Sequence, residues 1–117
     1  SRRDLAAVAA ECALFVSAST YEGFGMALIE AMSVGLLPVV QANPSFVELV
    51  GAANLGCVTD FADRRMAARA IHQELAAVTA AARTRAIGFS GEFSWRAHAQ
   101  RTHGLYQDAL ARKQAAA

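Results

Sequence analysis

Ala13-Leu14-Phe15-Val16-Ser17-Ala18-Ser19-Thr20-Tyr21-Glu22-Gly23-Phe24-Gly25-Met26-Ala27-Leu28-Ile29-Glu30-Ala31-Met32 joins three patterns in immediate succession. Residues 13–17 are a short apolar run with β-forming side chains, the signature of a buried strand. Residues 18–25 hold two glycines among small polar residues. Ala27, Leu28, Ala31 and Met32 then recur at helical spacing up to a stop at Gly35. The loop therefore joins the C-terminal end of a strand to the N-terminus of a helix.

The same alternation extends both ways. Upstream, Ser1-x-x-Asp4 matches a capping box and opens a helix whose Leu5, Val8, Ala9 and Cys12 share one face. Downstream, Leu36 to Val40 reads as a second buried strand. Asn43-Pro44 marks a turn, Ser45 to Val50 a short helix ended by Gly51, and Leu55 to Thr59 a third strand. Asp60 or Asp63 then caps a long helix with Met66, Ala70, Leu75, Val78 and Ala82 inward and Arg65 and Arg69 outward, broken by Gly88 and Gly91. A last helix over 93–113 is expected to bury Trp95, Ala99, Thr102, Leu105, Tyr106 and Ala109. Helices alternating with strands predict a Rossmann-like α/β fold with a parallel sheet covered on both faces. Three strands are few for such a sheet, so further strands are expected before Ser1, making the chain a C-terminal piece of a larger protein.

At 117 residues the chain is one domain, with 55% hydrophobic and 18% charged residues and a mean hydropathy of +0.26, which excludes intrinsic disorder. No apolar run approaches the ~20 residues of a membrane-spanning helix, and the N-terminus lacks a signal peptide's apolar region and cleavage site. A cytoplasmic protein is expected. Cys12 and Cys57 have no metal or redox spacing and are expected as buried free thiols; His72, His98 and His103 have no ligand partners at metal spacing. The formal charge of +1 gives no reason to expect nucleic acid. Yet residues 1–60 set two arginines against six acids, net −4, and residues 61–117 set nine basic residues against four acids, net +5. Exposed helix faces of mixed charge account for this most simply, and weak peripheral contact with an anionic membrane is the alternative.

Ligands of open α/β sheets bind where strand C-termini meet helix N-termini, which is where the 18–25 loop lies. Gly23 and Gly25 let the backbone turn tightly. The N–H groups of Phe24, Gly25, Met26 and Ala27 stand at the positive end of the helix dipole, an arrangement that suits a phosphate. Glu22 in the loop and Glu30 one turn into the helix flank it, and carboxylates accept well from vicinal hydroxyls. A sugar on either side of a phosphate, as in a nucleotide sugar, fits this pattern. Two solvated surface acids would be the simpler reading of an isolated pair; the Gly-x-Gly between them and the strand-loop-helix context argue against it. Leu28 stands where a dinucleotide fingerprint needs a small residue and Gln41 where it needs an acid, and neither a hydrolase elbow nor a P-loop is present.

The run Ser19 to Val40 closely resembles the Glu-x7-Glu signature of the retaining family 4 glycosyltransferases of the GT-B fold. Glu48 resembles that family's acid before its next helix, and Phe93-Ser94-Trp95 the aromatic start of its C-terminal helix. The resemblance runs from about Ser1 to Leu110. It implies that residues 1–117 are the distal part of the C-terminal nucleotide-sugar-binding domain, with the N-terminal acceptor domain and the basic diphosphate-clamping residues outside this stretch. It also implies retention of anomeric configuration, no metal or cofactor, Glu22 as the catalytic acid holding donor-sugar hydroxyls, Glu30 on the ribose, and Phe24, Gly25, Met26 and Ala27 on sugar and diphosphate. Ala18 replaces a frequent Pro, and Gly35-Leu36-Leu37-Pro38 carries one residue more than the common Gly-x-Pro.

The stretch 36–46 is similar to bacterial exopolysaccharide mannosyltransferases. This implies GDP-mannose as donor, a glycan or polyprenyl-diphosphate-linked acceptor, and a place at the inner face of the cell membrane. The 117 residues alone are expected to be inactive. A noncatalytic nucleotide- or sugar-binding α/β module and a helical membrane-surface adaptor are the alternatives.

Overall fold

The computed structural model describes residues 1–117, the side chain of Arg2 excepted. The elements run α1 (Arg2–Ala10), β1 (Leu14–Ser17), α2 (Met26–Ser33), β2 (Leu37–Gln41), α3 (Pro44–Ala53), β3 (Cys57–Thr59), α4 (Arg64–Ala77), α5 (Ala80–Gly91) and α6 (Trp95–Ala115). The strands form one parallel sheet in the order β1-β2-β3, with Leu14 opposite Leu37 and Val39 opposite Cys57. Pro38 sits in the central strand without loss, because the ladder to β3 begins one residue later, at Val39.

Each element follows from local chemistry. Ser1 and Asp4 form the expected capping box on α1. Gly35, at φ +85°, ends α2 in a Schellman motif: its N–H donates to Met32 O and the Leu36 N–H donates to Ala31 O. That motif absorbs the additional residue before Pro38. Leu28, Ile29 and Met32 of α2 meet Phe46 and Leu49 of α3, Leu37 and Val40 of β2, Leu55, and Ala86 of α5 in one core.

Several expected boundaries shift. Gly51 does not end α3, because Val50 and Ala53 still pack on the core; the helix closes instead at Asn54, whose φ of +49° supplies the left-handed cap. β3 is shorter than residues 55–59. Asp63, not Asp60, caps α4, and the long helix divides at Val78, where Thr79 accepts from Ala82 N to start α5. The division lets α5 turn back onto α2, with Ala86 fully buried between them. Gly88 lies inside α5 and leaves it unbroken. On α4 the buried residue is Ala67, while Met66 and Leu75 are exposed; Val78 and Ala82 do pack inward, and Arg65 and Arg69 face solvent.

Two larger expectations fail. Cys12, expected buried, is exposed, as are Leu5 and Val8 of α1, and Cys57, also expected buried, is only half-buried. α6 buries none of its residues, leaving Trp95 88% and Tyr106 69% exposed. Its 113-side end extends through Ala115, and its apolar stripe faces solvent rather than the core. No helix is long and apolar enough to cross a membrane among the described residues.

Candidate functional site

The site is built where β1 ends at Ser17 and α2 begins at Met26. Ser17 Oγ accepts from Ser19 N at 3.3 Å, and Ser19 Oγ donates to Tyr21 O at 2.8 Å, so the chain turns over at once on leaving the strand. Gly25 is the N-cap of α2 at φ +90°, in the left-handed region. A Cβ on Gly25 would lie 2.9 Å from Leu49 Cδ1 and 3.3 Å from Phe46 Cε1, so the turn rests directly on α3. Gly23, by contrast, has open space around it. The glycine requirement belongs to Gly25 alone, a narrower demand than the Gly-x-Gly spelling implies.

No side chain caps α2. The N–H groups of Met26 and Ala27 occupy its first turn, where no intrahelical acceptor exists, and the first bonds inside the helix are those of Leu28 and Ile29 to Gly25 O. The helix start is thus an uncapped cluster of donors at the positive end of a dipole, with Phe24, Met26 and Ala27 exposed around it and Gly25 buried beneath. Glu22 is half-buried in the loop and Glu30 is exposed on α2. Among the described residues neither carboxylate accepts a hydrogen bond or forms an ion pair; Glu30 engages only through its backbone oxygen, which accepts from Ser33 Oγ. The residues expected at the site therefore share one loop and the first two turns of one helix, with both acids free to accept from a ligand.

Two residues that the sequence reading passed over complete the arrangement. Asn43 Nδ2 donates to Ser19 O at 2.9 Å, and Ser45 Oγ donates to Glu22 O at 3.0 Å. The signal for Asn43 as a cap was present, since Asn before a Pro at the first helical position is an N-cap pattern. Its bond to residue 19 was not foreseeable from spacing. Phe93 also reaches the loop, its ring 5.7 Å from that of Phe24 and 5.2 Å from that of Phe89. Gly23, Phe24, Ser45, Glu48, Leu49 and Phe93 line a hollow of about 160 Å³ beside the loop. Glu48, which the resemblance put before a helix, lies inside α3, and α3 sets it beside this hollow.

Larger hollows lie away from the loop, one of about 540 Å³ reaching Glu74 and Arg85, and one of about 480 Å³ between β3 and α4. Burial pushes the Glu74 carboxyl up, opposed by a hydrogen bond from the Gly56 backbone. Burial, then the nearby Glu74 charge, pushes the Cys57 thiol up, which keeps it protonated and unreactive. Arg83, Arg85 and Arg101 donate to the backbone oxygens of Cys12, Asn54 and Glu92, so these three cations tie segments together. No group of three or more His, Cys, Asp or Glu side chains able to hold a metal occurs among the described residues.

With that geometry in place, comparison with known proteins is direct. Three curated relatives share the printed name GDP-mannose:cellobiosyl-diphosphopolyprenol alpha-mannosyltransferase. The Xanthomonas campestris protein is 36% identical over 100 residues, covering 82% of this chain and 26% of the relative. That of Xanthomonas oryzae pv. oryzae is 31% identical over 115 residues, covering 94% and 30%. The Komagataeibacter xylinus protein is 30% identical over 115 residues, covering 96% and 29%. The chain therefore spans under a third of the length of these relatives. No solved structure matches it. The family model for glycosyl transferases group 1 matches residues 1–86, the stretch that carries β1, the Glu22 loop, α2 and the rest of the sheet, and the chain belongs to that family.

Proposed function

We propose that the protein transfers a hexosyl group, with retention, from a nucleotide-sugar donor to a lipid-linked acceptor, with GDP-mannose as the donor and a polyprenyl-diphosphate-linked glycan as the acceptor. The observation that carries this reading is the uncapped N-terminus of α2, flanked by two carboxylates that have no partner among the described residues. The N–H groups around Phe24, Gly25, Met26 and Ala27 contact the diphosphate and sugar, and offset the negative charge that grows on the leaving diphosphate. Glu22 accepts from hydroxyls of the donor sugar beside the reacting carbon. Glu30, further along α2, accepts from the ribose. The names of the three relatives support the choice of mannose, guanosine diphosphate and a polyprenol-linked acceptor.

In this reading residues 1–117 are the distal part of the donor-binding domain and do not transfer sugar alone, because positioning two substrates supplies much of the barrier reduction. A polyprenol-linked acceptor places the reaction at a membrane surface, and the net +5 of residues 61–117 supports peripheral attachment at the cytoplasmic face.

The full-length protein tests the reading. Turnover is expected with GDP-mannose; turnover with UDP-glucose alone removes the donor assignment. Glu22→Gln is expected to lower kcat strongly while leaving nucleoside diphosphate affinity near wild type, since that product carries no donor sugar. Glu30→Gln is expected to weaken nucleoside diphosphate and donor together, by about 1.5–3 kcal/mol for a lost charge-assisted hydrogen bond. Calorimetry beside steady-state rates reads both, with circular dichroism confirming folded variants. Wild-type values for both variants would mean that the acids are surface residues.

A further inference from the structure

We propose that Asn43, the N-cap of α3, and Ser45, on its first turn, are positioning residues that hold the Glu22 loop in the shape that presents its carboxylate to the donor sugar. The proposal rests on the reading of that loop as the donor site. Within itself the loop is lightly held: apart from the two serine contacts near its start, no side chain of residues 18–25 bonds to it. Its long-range ties come from α3. Asn43 Nδ2 donates to Ser19 O at 2.9 Å, and Ser45 Oγ donates to Glu22 O at 3.0 Å and to Gly23 O at 3.3 Å. Phe46 and Leu49 of the same helix then support Gly25 from below. Start, middle and end of the loop are thus set against one helix.

The residue types fit this task better than they fit helix capping alone. Asn43 is 3% exposed and uses both ends of its amide, Oδ1 accepting from Phe46 N at 2.9 Å while Nδ2 holds Ser19. Asp or Ser would cap α3 as well as Asn. An ionised Asp has no donor, so the second bond accounts for the amide. Ser45, at the second helical position, is not needed as a cap, and its hydroxyl is directed to the backbone of Glu22, the residue proposed to meet the donor sugar. Fixing the Glu22 backbone through its carbonyl leaves the side chain free for substrate while removing the freedom of its attachment point. A displacement of about 1 Å at such a site costs on the order of a hundredfold in rate.

The test uses the full-length protein, with Ser45→Ala, Ser45→Thr and Asn43→Asp beside Glu22→Gln as reference. Asn43→Asp keeps the cap on α3 but replaces the donor to Ser19 O with a buried carboxylate oxygen, so Ser45→Ala carries the comparison of stability, and Ser45→Thr keeps the hydroxyl. Expected are a fall in kcat of about tenfold or more for Ser45→Ala and Asn43→Asp, near-wild-type affinity for GDP and, for Ser45→Ala, an unchanged unfolding midpoint. Ser45→Thr is expected to restore most of the rate. Wild-type kcat in Ser45→Ala and Asn43→Asp, with a slow Glu22→Gln, overturns the proposal and leaves the donor site standing. A wild-type rate in Glu22→Gln removes the donor reading, and the proposal with it. In Ser45→Ala, loss of rate that tracks a lowered unfolding midpoint, or in either variant an equal loss of GDP affinity, assigns a structural role and also overturns it.

Discussion

Gly25 shows how a single backbone angle sets the chemistry of this loop. At φ +90° and ψ 36° it turns the chain so that α2 starts without a cap, and its missing Cβ admits Leu49 Cδ1 at the distance of a clash. Gly25→Ala therefore combines a left-handed L-residue with a displaced leucine, and is expected to destabilise the fold by about 1–3 kcal/mol. Gly23→Ala meets open space and is expected to stay within about 0.5 kcal/mol. Chemical denaturation of both variants measures the contrast; equal losses would show that the turn does not depend on φ at residue 25. The two acids and the glycine turn were legible because the residues that make them are adjacent in sequence. The clamp by Asn43 and Ser45 was not, since its bonds join residues 24 and 23 positions apart and depend on how α3 lies against the loop. The same distinction explains the cysteines: the absence of redox or metal spacing in an apolar chain predicted buried thiols, but neither feature says what lies against Cys12.

The elements themselves were legible wherever a local device closes them. Ser1 with Asp4, and Asp63, are N-caps with a side chain accepting from the first turn, and Gly35 ends α2 with a positive φ, whereas the caps Thr79 and Ser94 were missed because apolar periodicity ran on across them. Sequence spacing misjudged α3 and α4 because packing overrode the glycines: α3 runs past Gly51, and α4 stops at Val78, where α5 can fold back onto α2. The inward face of α4 was also misassigned, and it includes Glu74. Burial raises this carboxyl above its ordinary value, the Gly56 N–H only partly opposing it. The sign follows from linkage. A carboxyl raised in the folded state favours folding most below its unfolded value, and that contribution is lost as pH rises through the folded value. Glu74→Gln, which keeps the shape and removes the charge, is therefore expected to raise the unfolding temperature near neutrality. The gain should vanish below the ordinary carboxylate range. A difference that is flat with pH, or that grows in acid, would mean the folded site stabilises the charged form.

At the scale of the molecule, the body and its two ends behave differently. The central strand and the faces of α2 and α3 are buried, whereas α1 and α6 present Leu5, Val8, Trp95, Leu105, Tyr106 and Leu110 to solvent. The radius of gyration is 17.6 Å and the long dimension 63 Å. A compact chain of this length would have a radius of roughly 13 Å. α6, with 21 residues, is about 31 Å long at the ordinary helical rise and accounts for much of the excess. Its amphipathic spacing was read correctly as a stripe and wrongly as a core stripe, because periodicity reports that one face is apolar and not what lies against it. The energetic consequence is a sharp division between side chains of similar size. Phe46 is 1% exposed and touches both the Gly25 turn and the core, so Phe46→Ala is expected to cost about 3–5 kcal/mol. Tyr106, 69% exposed on α6, leaves no cavity when truncated, and Tyr106→Ala is expected to change stability of this chain by no more than about 0.5 kcal/mol. Alanine is also the better helix former, which offsets the small area lost. Urea unfolding of the two variants, followed by far-UV circular dichroism, gives both values. A loss of several kcal/mol in Tyr106→Ala would show that α6 folds its stripe onto the body, and that the stripe is part of the core after all.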